Sequence, residues 1–228
     1  MVGIYEKSII MKLKEIIDSG FEKNIKRDSF ENFDFAKAKN KWLHFFGKVT
    51  GRKEIIVNEE IKKIWINLIK YVYNIDNDLD NLKGLFLCGN TGSGKSDTMK
   101  ALYSVLKHDK IKFYKNEKAC LFAFEYVSAA NLIECFSEEG FEGIIWATKI
   151  NCLYIDDIGN ELECNYFGNK ICVISHIVER RYEANLFTHF SSNYKIKDLK
   201  YSERIISRIT EMSNEIVLAG IDFRMLNI

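Results

Sequence analysis

Proline is missing altogether from the 228 residues, where average usage near 5% would supply about eleven. Its absence excludes collagen-like chains, Pro-rich linkers and PxxP ligands. It also removes the usual helix stops, so boundaries must be read from glycines, polar caps and periodicity. An excess of either charge is missing too. Lys+Arg 33 against Asp+Glu 32 leaves a formal charge of +1, with 47% hydrophobic and 13% aromatic residues. That balance excludes wholesale disorder and a histone-like polycation, so any contact with nucleic acid must be a local basic patch. The six cysteines, Cys88, Cys120, Cys135, Cys152, Cys164 and Cys172, form no Cys-x-x-Cys pair and have no histidine at finger spacing. Neither a zinc site nor a disulfide scaffold is suggested, and small core hydrophobes in a reducing cytosol are expected. No apolar run approaches the roughly 18 residues of a membrane helix, and Glu6, Lys7, Lys12, Lys14 and Glu15 interrupt the amino terminus. A soluble cytoplasmic protein is expected, with one full domain and an appendage.

The first fifty-five residues differ from the rest. Ile9, Ile10, Leu13, Ile16 and Ile17 recur at helical spacing, and then Phe30, Phe33, Phe35, Trp42, Phe45 and Phe46 mix with Lys37, Lys39, Lys41, Lys48, Arg52 and Lys53. This stretch reads as a mostly helical arm over residues 1–55, either docking on the main domain or binding a partner or nucleic acid. From Asn58, an N-cap followed by Glu59 and Glu60, a helix is predicted to about Asn74. Beyond it strand-like and helix-like segments alternate, the signature of a parallel sheet covered by helices. Strands are predicted at Gly84 to Cys88, Leu121 to Val127, Asn151 to Asp156, Asn185 to Ser191 and Glu215 to Ala219. Helices are predicted at Lys95 to His108, Ala129 to Phe136, Asn169 to Tyr182 and Ser202 to Met212. The fold class is α/β, a three-layer sandwich around a five-stranded parallel sheet, with the main domain over residues 56–228.

Gly89-Asn90-Thr91-Gly92-Ser93-Gly94-Lys95-Ser96 fits G-x-x-x-x-G-K-[ST], and it follows a predicted strand and opens a predicted helix, the context the motif requires. The glycines let successive N–H groups turn toward phosphate oxygens, and the helix N-terminus adds its positive dipole end. Lys95 is expected on the β- and γ-phosphates and Ser96 on Mg²⁺. The run Cys152-Leu153-Tyr154-Ile155 ends in Asp156-Asp157. Two carboxylates after four apolar residues are costly unless a metal or a water uses them. Asp156 is assigned to Mg²⁺ through water, and Asp157 to orienting or deprotonating the attacking water. Asn193, at the end of Thr188 to Asn193, is placed beside the γ-phosphate to help hold that water. Neither Asn-Lys stretch of the chain, at Asn40 and Asn169, continues into the aspartate of Asn-Lys-x-Asp, so ATP is preferred over GTP by exclusion.

Taken together, the P-loop, Ile155-Asp156-Asp157-Ile158-Gly159-Asn160-Glu161, Tyr166-Phe167-Gly168-Asn169, Arg180-Arg181-Tyr182, Glu203 to Met212 and Gly220-Ile221-Asp222-Phe223-Arg224 resemble the DnaC/IstB-like branch of AAA+ ATPases. The resemblance covers about residues 56 to 228. It implies an AAA+ ATPase, using ATP and Mg²⁺, that binds single-stranded DNA, engages a replicative helicase and self-associates; because the sequence stops about ten residues after its last predicted strand, no C-terminal helical lid is expected. By the same resemblance Arg208 matches the arginine finger reaching a neighbouring subunit's γ-phosphate, with Arg204 as the alternative on the same helix face. Asn193 matches the sensor asparagine and Arg224 a sensor-2-like arginine. Asp157 stands where many relatives carry a glutamate, which implies slow turnover stimulated by assembly or DNA. Three roles stay open: helicase loader, IstB-like transposition helper, and a non-catalytic, nucleotide-gated adaptor.

Overall fold

The pentapeptide Gly84–Cys88 is apolar throughout because both faces of the strand it forms are covered. Leu85 and Leu87 enter one core and Phe86 and Cys88 the other, and Cys152, Leu153, Tyr154 and Ile155 repeat the alternation. In the computed structural model, residues 25–28, 30, 33–52, 55, 57–161, 164–166 and 169–218 are described. The amino-terminal stripe Ile9 to Ile17, Lys53 and the segment containing Arg224 lie outside them.

The strands are β1 (Ile25–Arg27), β2 (Gly84–Cys88), β3 (Lys112–Lys115), β4 (Lys118–Leu121), β5 (Glu125–Ser128), β6 (Cys152–Ile158), β7 (Cys164–Tyr166), β8 (Asn169–Ile171), β9 (Phe187–Ser192) and β10 (Ser213–Val217). The main helices are α1 (Phe35–Thr50), α2 (Glu59–Val72), α3 (Lys95–His108), α4 (Ala129–Glu139), α5 (Val173–Glu183) and α6 (Glu203–Met212). Five strands make the expected parallel sheet, in the order β10-β2-β9-β6-β5. Residues of α1, α2 and α3 fill the core on one face, and residues of α4, α5 and α6 the core on the other. Side-chain oxygens of Asp34, Asn58 and Ser128 cap α1, α2 and α4, accepting from Lys37, Ile61 and Asn131 N–H groups at 3.0, 2.8 and 3.1 Å.

The strand predicted at Leu121 to Val127 is two elements. β4 ends at Leu121 and β5 begins at Glu125, because Phe122 and Phe124 both turn into the core and interrupt the pairing. β4 belongs to a small antiparallel sheet, ordered β1-β3-β4, that the sequence pattern did not reveal. The helix predicted from Asn169 begins at Val173; the residues before it pair as the hairpin β7–β8. The last strand runs from Ser213 to Val217 rather than starting at Glu215, and β6 continues past Asp156 to Ile158. α1 buries Trp42 and Phe46 in the core, and its Lys41 ammonium donates to Asp109, just beyond α3, at 2.5 Å and 2.6 Å.

His189, on the central strand β9, is fully buried and accepts the Leu85 N–H at Nδ1, 3.1 Å. Nε2 then carries the proton, with no hydrogen-bond partner among the described residues. Burial first, then the charges of Arg27 and Arg181, push its pKa down to about 3. An unfolded chain takes up this proton near pH 6.5, whereas the folded chain resists it until about pH 3. Stability contributed by the neutral ring is therefore present above pH 6.5 and lost as pH falls through that window, by about 1.4 kcal/mol per unit. Calorimetric melting between pH 7 and 4 should show a steeper fall for the wild type than for His189→Gln. Equal slopes would place the acid sensitivity elsewhere.

Candidate nucleotide site

The phosphate loop joins the carboxyl end of β2 to α3. Gly89 has φ +152, and a Cβ there would lie 2.3 Å from the Leu218 carbonyl oxygen, so only glycine lets the loop pass β10 so closely. Gly92 and Gly94 are left-handed, both at φ +83. Unlike α1, α2 and α4, α3 has Gly94 at its N-cap and no side-chain cap, which leaves its first amides to a ligand. Lys95 is buried, and its ammonium donates to the carbonyls of Gly89 and Asn90 at 2.7 and 3.0 Å and to Asn193 Oδ1 at 3.0 Å.

β6 presents the two carboxylates by different means. Asp156 continues the strand, and both of its oxygens accept from Ser96 Oγ, at 3.1 and 3.2 Å. Tyr154 donates to Oδ1 at 2.5 Å, Tyr126 donates to Oδ2 at 3.0 Å, and Ser191 also donates to Oδ1. Burial, then the charge of Asp156, pushes the Tyr126 phenol up to about 12 and Tyr154 well above its ordinary value, so both remain donors. Asp157 sits on a bulge, where the register against β9 slips between Ile155 and Ile158, and its backbone is left-handed at φ +60. That conformation is uncommon and costly for a residue with a side chain, and it aims Asp157 away from the strand's regular alternation. Asn193 Nδ2 donates to Asp157 Oδ1 at 3.3 Å, so Lys95, Asn193 and Asp157 form one hydrogen-bonded chain. The turn that follows needs Gly159, at φ +100, because a Cβ would meet Leu199 at 2.6 Å. Glu161 reaches back to accept the Gly159 N–H at 2.5 Å and the Tyr201 hydroxyl.

A cleft of about 460 Å³ brings together Thr91 to Ser96, Asp156, Asp157 and Asn193 of the residues singled out by the motifs, whereas Gly89 and Asn90 do not line it. The sequence reading missed Ser191 and the wall made by Val49, Thr50 and Arg52 at the end of α1. In the sequence Arg52 belongs to the aromatic and basic stretch that reads as a partner- or nucleic-acid-binding arm, and nothing local connects it to a loop about forty residues away. The two arginines expected to act on a neighbouring subunit stand apart. Arg208 is only 13% exposed, ionically paired with Glu179 at 2.9 Å and set over the Tyr182 ring at 5.0 Å. Arg204 shares Glu179 at 3.2 Å but is 65% exposed. Neither lines the cleft, and Arg224 lies outside the described residues. In the stretch 1–55, read as docking or as binding a partner or nucleic acid, Trp42 and Phe46 are sealed in the core. Tyr194, Lys195, Lys197 and Lys200 stand exposed directly after Asn193.

A nucleoside triphosphate with Mg²⁺ fits this site. The buried Ser93 hydroxyl has no hydrogen-bond partner among the described residues, the first turn of α3 lacks a side-chain cap, and the Lys95 ammonium donates to three uncharged oxygens that phosphate oxygens would replace. Among the described residues no group of three or more His, Cys, Asp or Glu could hold a metal. One carboxylate and one hydroxyl suit Mg²⁺, which takes much of its coordination from waters and substrate phosphates.

Sheet order, phosphate loop and strand-end carboxylates define the AAA+ form of the P-loop fold, the class implied by the motifs. More particularly, the fold is that of DnaC-like proteins. It is shared with the crystal structure of DnaI (23% identical, TM-score 0.55, covering 75% of this chain and 88% of that one). The DnaC helicase loader is 20% identical at TM-score 0.54, with 78% and 98% covered. The replication initiator DnaA bound to AMPPCP and single-stranded DNA is 18% identical at TM-score 0.51, with 72% of this chain and 47% of that one covered. No protein-family model and no curated protein sequence matches the chain. Among the described residues no helix is long and apolar enough to cross a membrane.

Proposed function

We propose that the chain is an ATP-binding and ATP-hydrolysing protein of DNA replication that loads a replicative helicase on single-stranded DNA. The observation that carries this reading is the chain Lys95–Asn193–Asp157, which ties the phosphate loop to two strand ends in a fold shared with the DnaC helicase loader. Ser96 and Asp156 would hold Mg²⁺; the Asp156 carboxylate accepts the Ser96 O–H hydrogen bond, which leaves the hydroxyl's lone pairs for the metal. Bound there, the ion supplies neutralisation of phosphate charge. Lys95 binds the phosphates, Asp157 accepts the proton of the attacking water, and Asn193 orients that water between Lys95 and Asp157. Arg208, or Arg204 beside it, acts on a neighbouring subunit's nucleotide, which requires release of the Glu179 pair; Arg224 serves the sensor-2-like role. A partner-binding role for residues 1–55, beside an ATPase domain of residues 56–228, is confined to what α1 leaves outside the core, because Trp42 and Phe46 are buried there. With a net charge of +1, DNA affinity comes from a local face such as Tyr194 to Lys200, multiplied by assembly.

Two measurements test the reading. A fluorescent single-stranded oligonucleotide should bind more tightly with ATP and lose affinity steeply with salt; affinity indifferent to nucleotide would count decisively against a loader. In single-turnover hydrolysis, Asp157→Asn should lose roughly 10²–10⁴-fold and Arg208→Ala roughly 10³-fold or more. Hydrolysis equal to the wild type in both variants would remove the catalytic assignments.

A further inference from the structure

A strand-end carboxylate at the surface is ordinarily solvated by water, but Asp156 is enclosed by four protein hydroxyls. Ser96 reaches both oxygens, Tyr154 and Ser191 share Oδ1, and Tyr126 takes Oδ2. The two phenols come as a pair. Tyr126 and Tyr154 are register partners across β5 and β6, with ring centroids 5.5 Å apart, and both hydroxyls turn to the same carboxylate. Their settings differ, however. Tyr154 is fully buried within the sheet's core, whereas β5 is the sheet's edge and Tyr126 is 52% exposed. Packing does not require a half-exposed aromatic residue there, and its hydroxyl makes a specific bond to the group that would face the metal.

The terminal torsion of a carboxylate is broad and soft, so its plane is set by whatever bonds its oxygens. Oδ1 is fixed twice over by the buried Tyr154 and Ser191. Oδ2 depends on Tyr126 and on Ser96, and Ser96 is itself expected on the metal. We infer that Tyr126 is a positioning residue of the nucleotide–metal site: from the exposed sheet edge its hydroxyl fixes Oδ2 of Asp156, presenting the carboxylate and the Ser96 hydroxyl already oriented to a nucleotide-bound divalent cation. The inference rests on the nucleotide-binding reading above and extends the site to a strand outside the phosphate-loop motif. Outer partners of this kind are worth roughly 10–100-fold in metal affinity.

The test needs no turnover. Binding of a fluorescent ATP analogue to the full chain is followed while Mg²⁺ is titrated at fixed nucleotide, with the same binding measured in EDTA. Tyr126→Phe should raise the Mg²⁺ concentration for half-maximal enhancement about tenfold, leave EDTA binding unchanged and leave the melting temperature unchanged. Tyr126→Ala should shift the Mg²⁺ response as Phe does, since both lack the hydroxyl. If Tyr126→Phe titrates like the wild type, or restores what Tyr126→Ala loses, the ring matters and the hydroxyl does not, and the inference fails. Wild-type nucleotide binding indifferent to Mg²⁺ overturns the inference but leaves the phosphate-loop assignment standing. A wild type that binds no nucleotide overturns both.

Discussion

Lys95→Ala is expected to weaken ATP binding a hundredfold or more, to the edge of calorimetric detection, while the chain stays folded. The ammonium donates to two loop carbonyls and to Asn193, three uncharged oxygens. Phosphate oxygens would replace these as charge-assisted acceptors, and each such bond contributes roughly 1.5–3 kcal/mol. A hundredfold loss corresponds to about 2.7 kcal/mol, so one or two bonds account for it. The fold should tolerate the change, because α3 is anchored by Met99, Leu102, Val105 and Leu106 and alanine is the best helix former. The loss of Lys95 also frees Asn193, leaving Asp157 its only bonded partner within the chain described above. Residual nucleotide binding should therefore come without hydrolysis. A melting temperature unchanged alongside lost heat of binding supports the assignment, and wild-type affinity with intact turnover defeats it.

The parts of the site that could be read from the sequence are those in which the chemistry is local. Gly89 to Ser96 carries its conformational demand in its own glycines, and Asp156, Asp157 and Asn193 declare themselves as polar residues closing apolar strands. Elements were legible for the same reason: Gly84–Cys88 and Lys95–His108 adjoin the loop that separates them, and Asn58 caps α2 as its side chain suggests. Pairings between distant elements were not legible. Tyr126 meets Asp156, and Arg52 reaches the loop wall, only because parallel strands and α1 bring separate stretches side by side. The run from Leu121 to Val127 looks like a single strand because apolar composition does not record a change of sheet. Leu121 remains 54% exposed while Phe122, next to it, is fully buried. Similarly, the hairpin Cys164–Tyr166 and Asn169–Ile171 offers no alternation long enough to distinguish it from the first turns of α5.

Arg181 illustrates how far that nonlocal architecture supports the site, and its removal is expected to be the most destabilising single change. It is fully buried, and burial pulls its pKa down to about 10, leaving it protonated in the folded protein at neutral pH. Nη1 donates to the carbonyls of Ala147 and Ile150 at 2.7 and 2.9 Å, Nη2 to Phe187 at 2.7 Å, and Nε to the Thr188 hydroxyl at 2.9 Å. One guanidinium on α5 thus joins the segment entering β6 to the start of β9, the two strands that carry Asp156, Asp157 and Asn193 at their far ends. Arg181→Met keeps much of the volume but takes the donor from the buried carbonyls of Ala147 and Phe187 and from the part-buried one of Ile150. Each unsatisfied group costs roughly 1–3 kcal/mol, so a loss of about 3–9 kcal/mol is expected. For a chain of this size that lowers the melting temperature by roughly 6–36 °C. Arg180→Met, one residue earlier and 62% exposed, should change it little. Because the strand ends lose their common anchor, ATP affinity measured well below the melting temperature should also fall in Arg181→Met. A variant as stable as the wild type would mean that water replaces the guanidinium, and that β6 and β9 are aligned by their ladder alone.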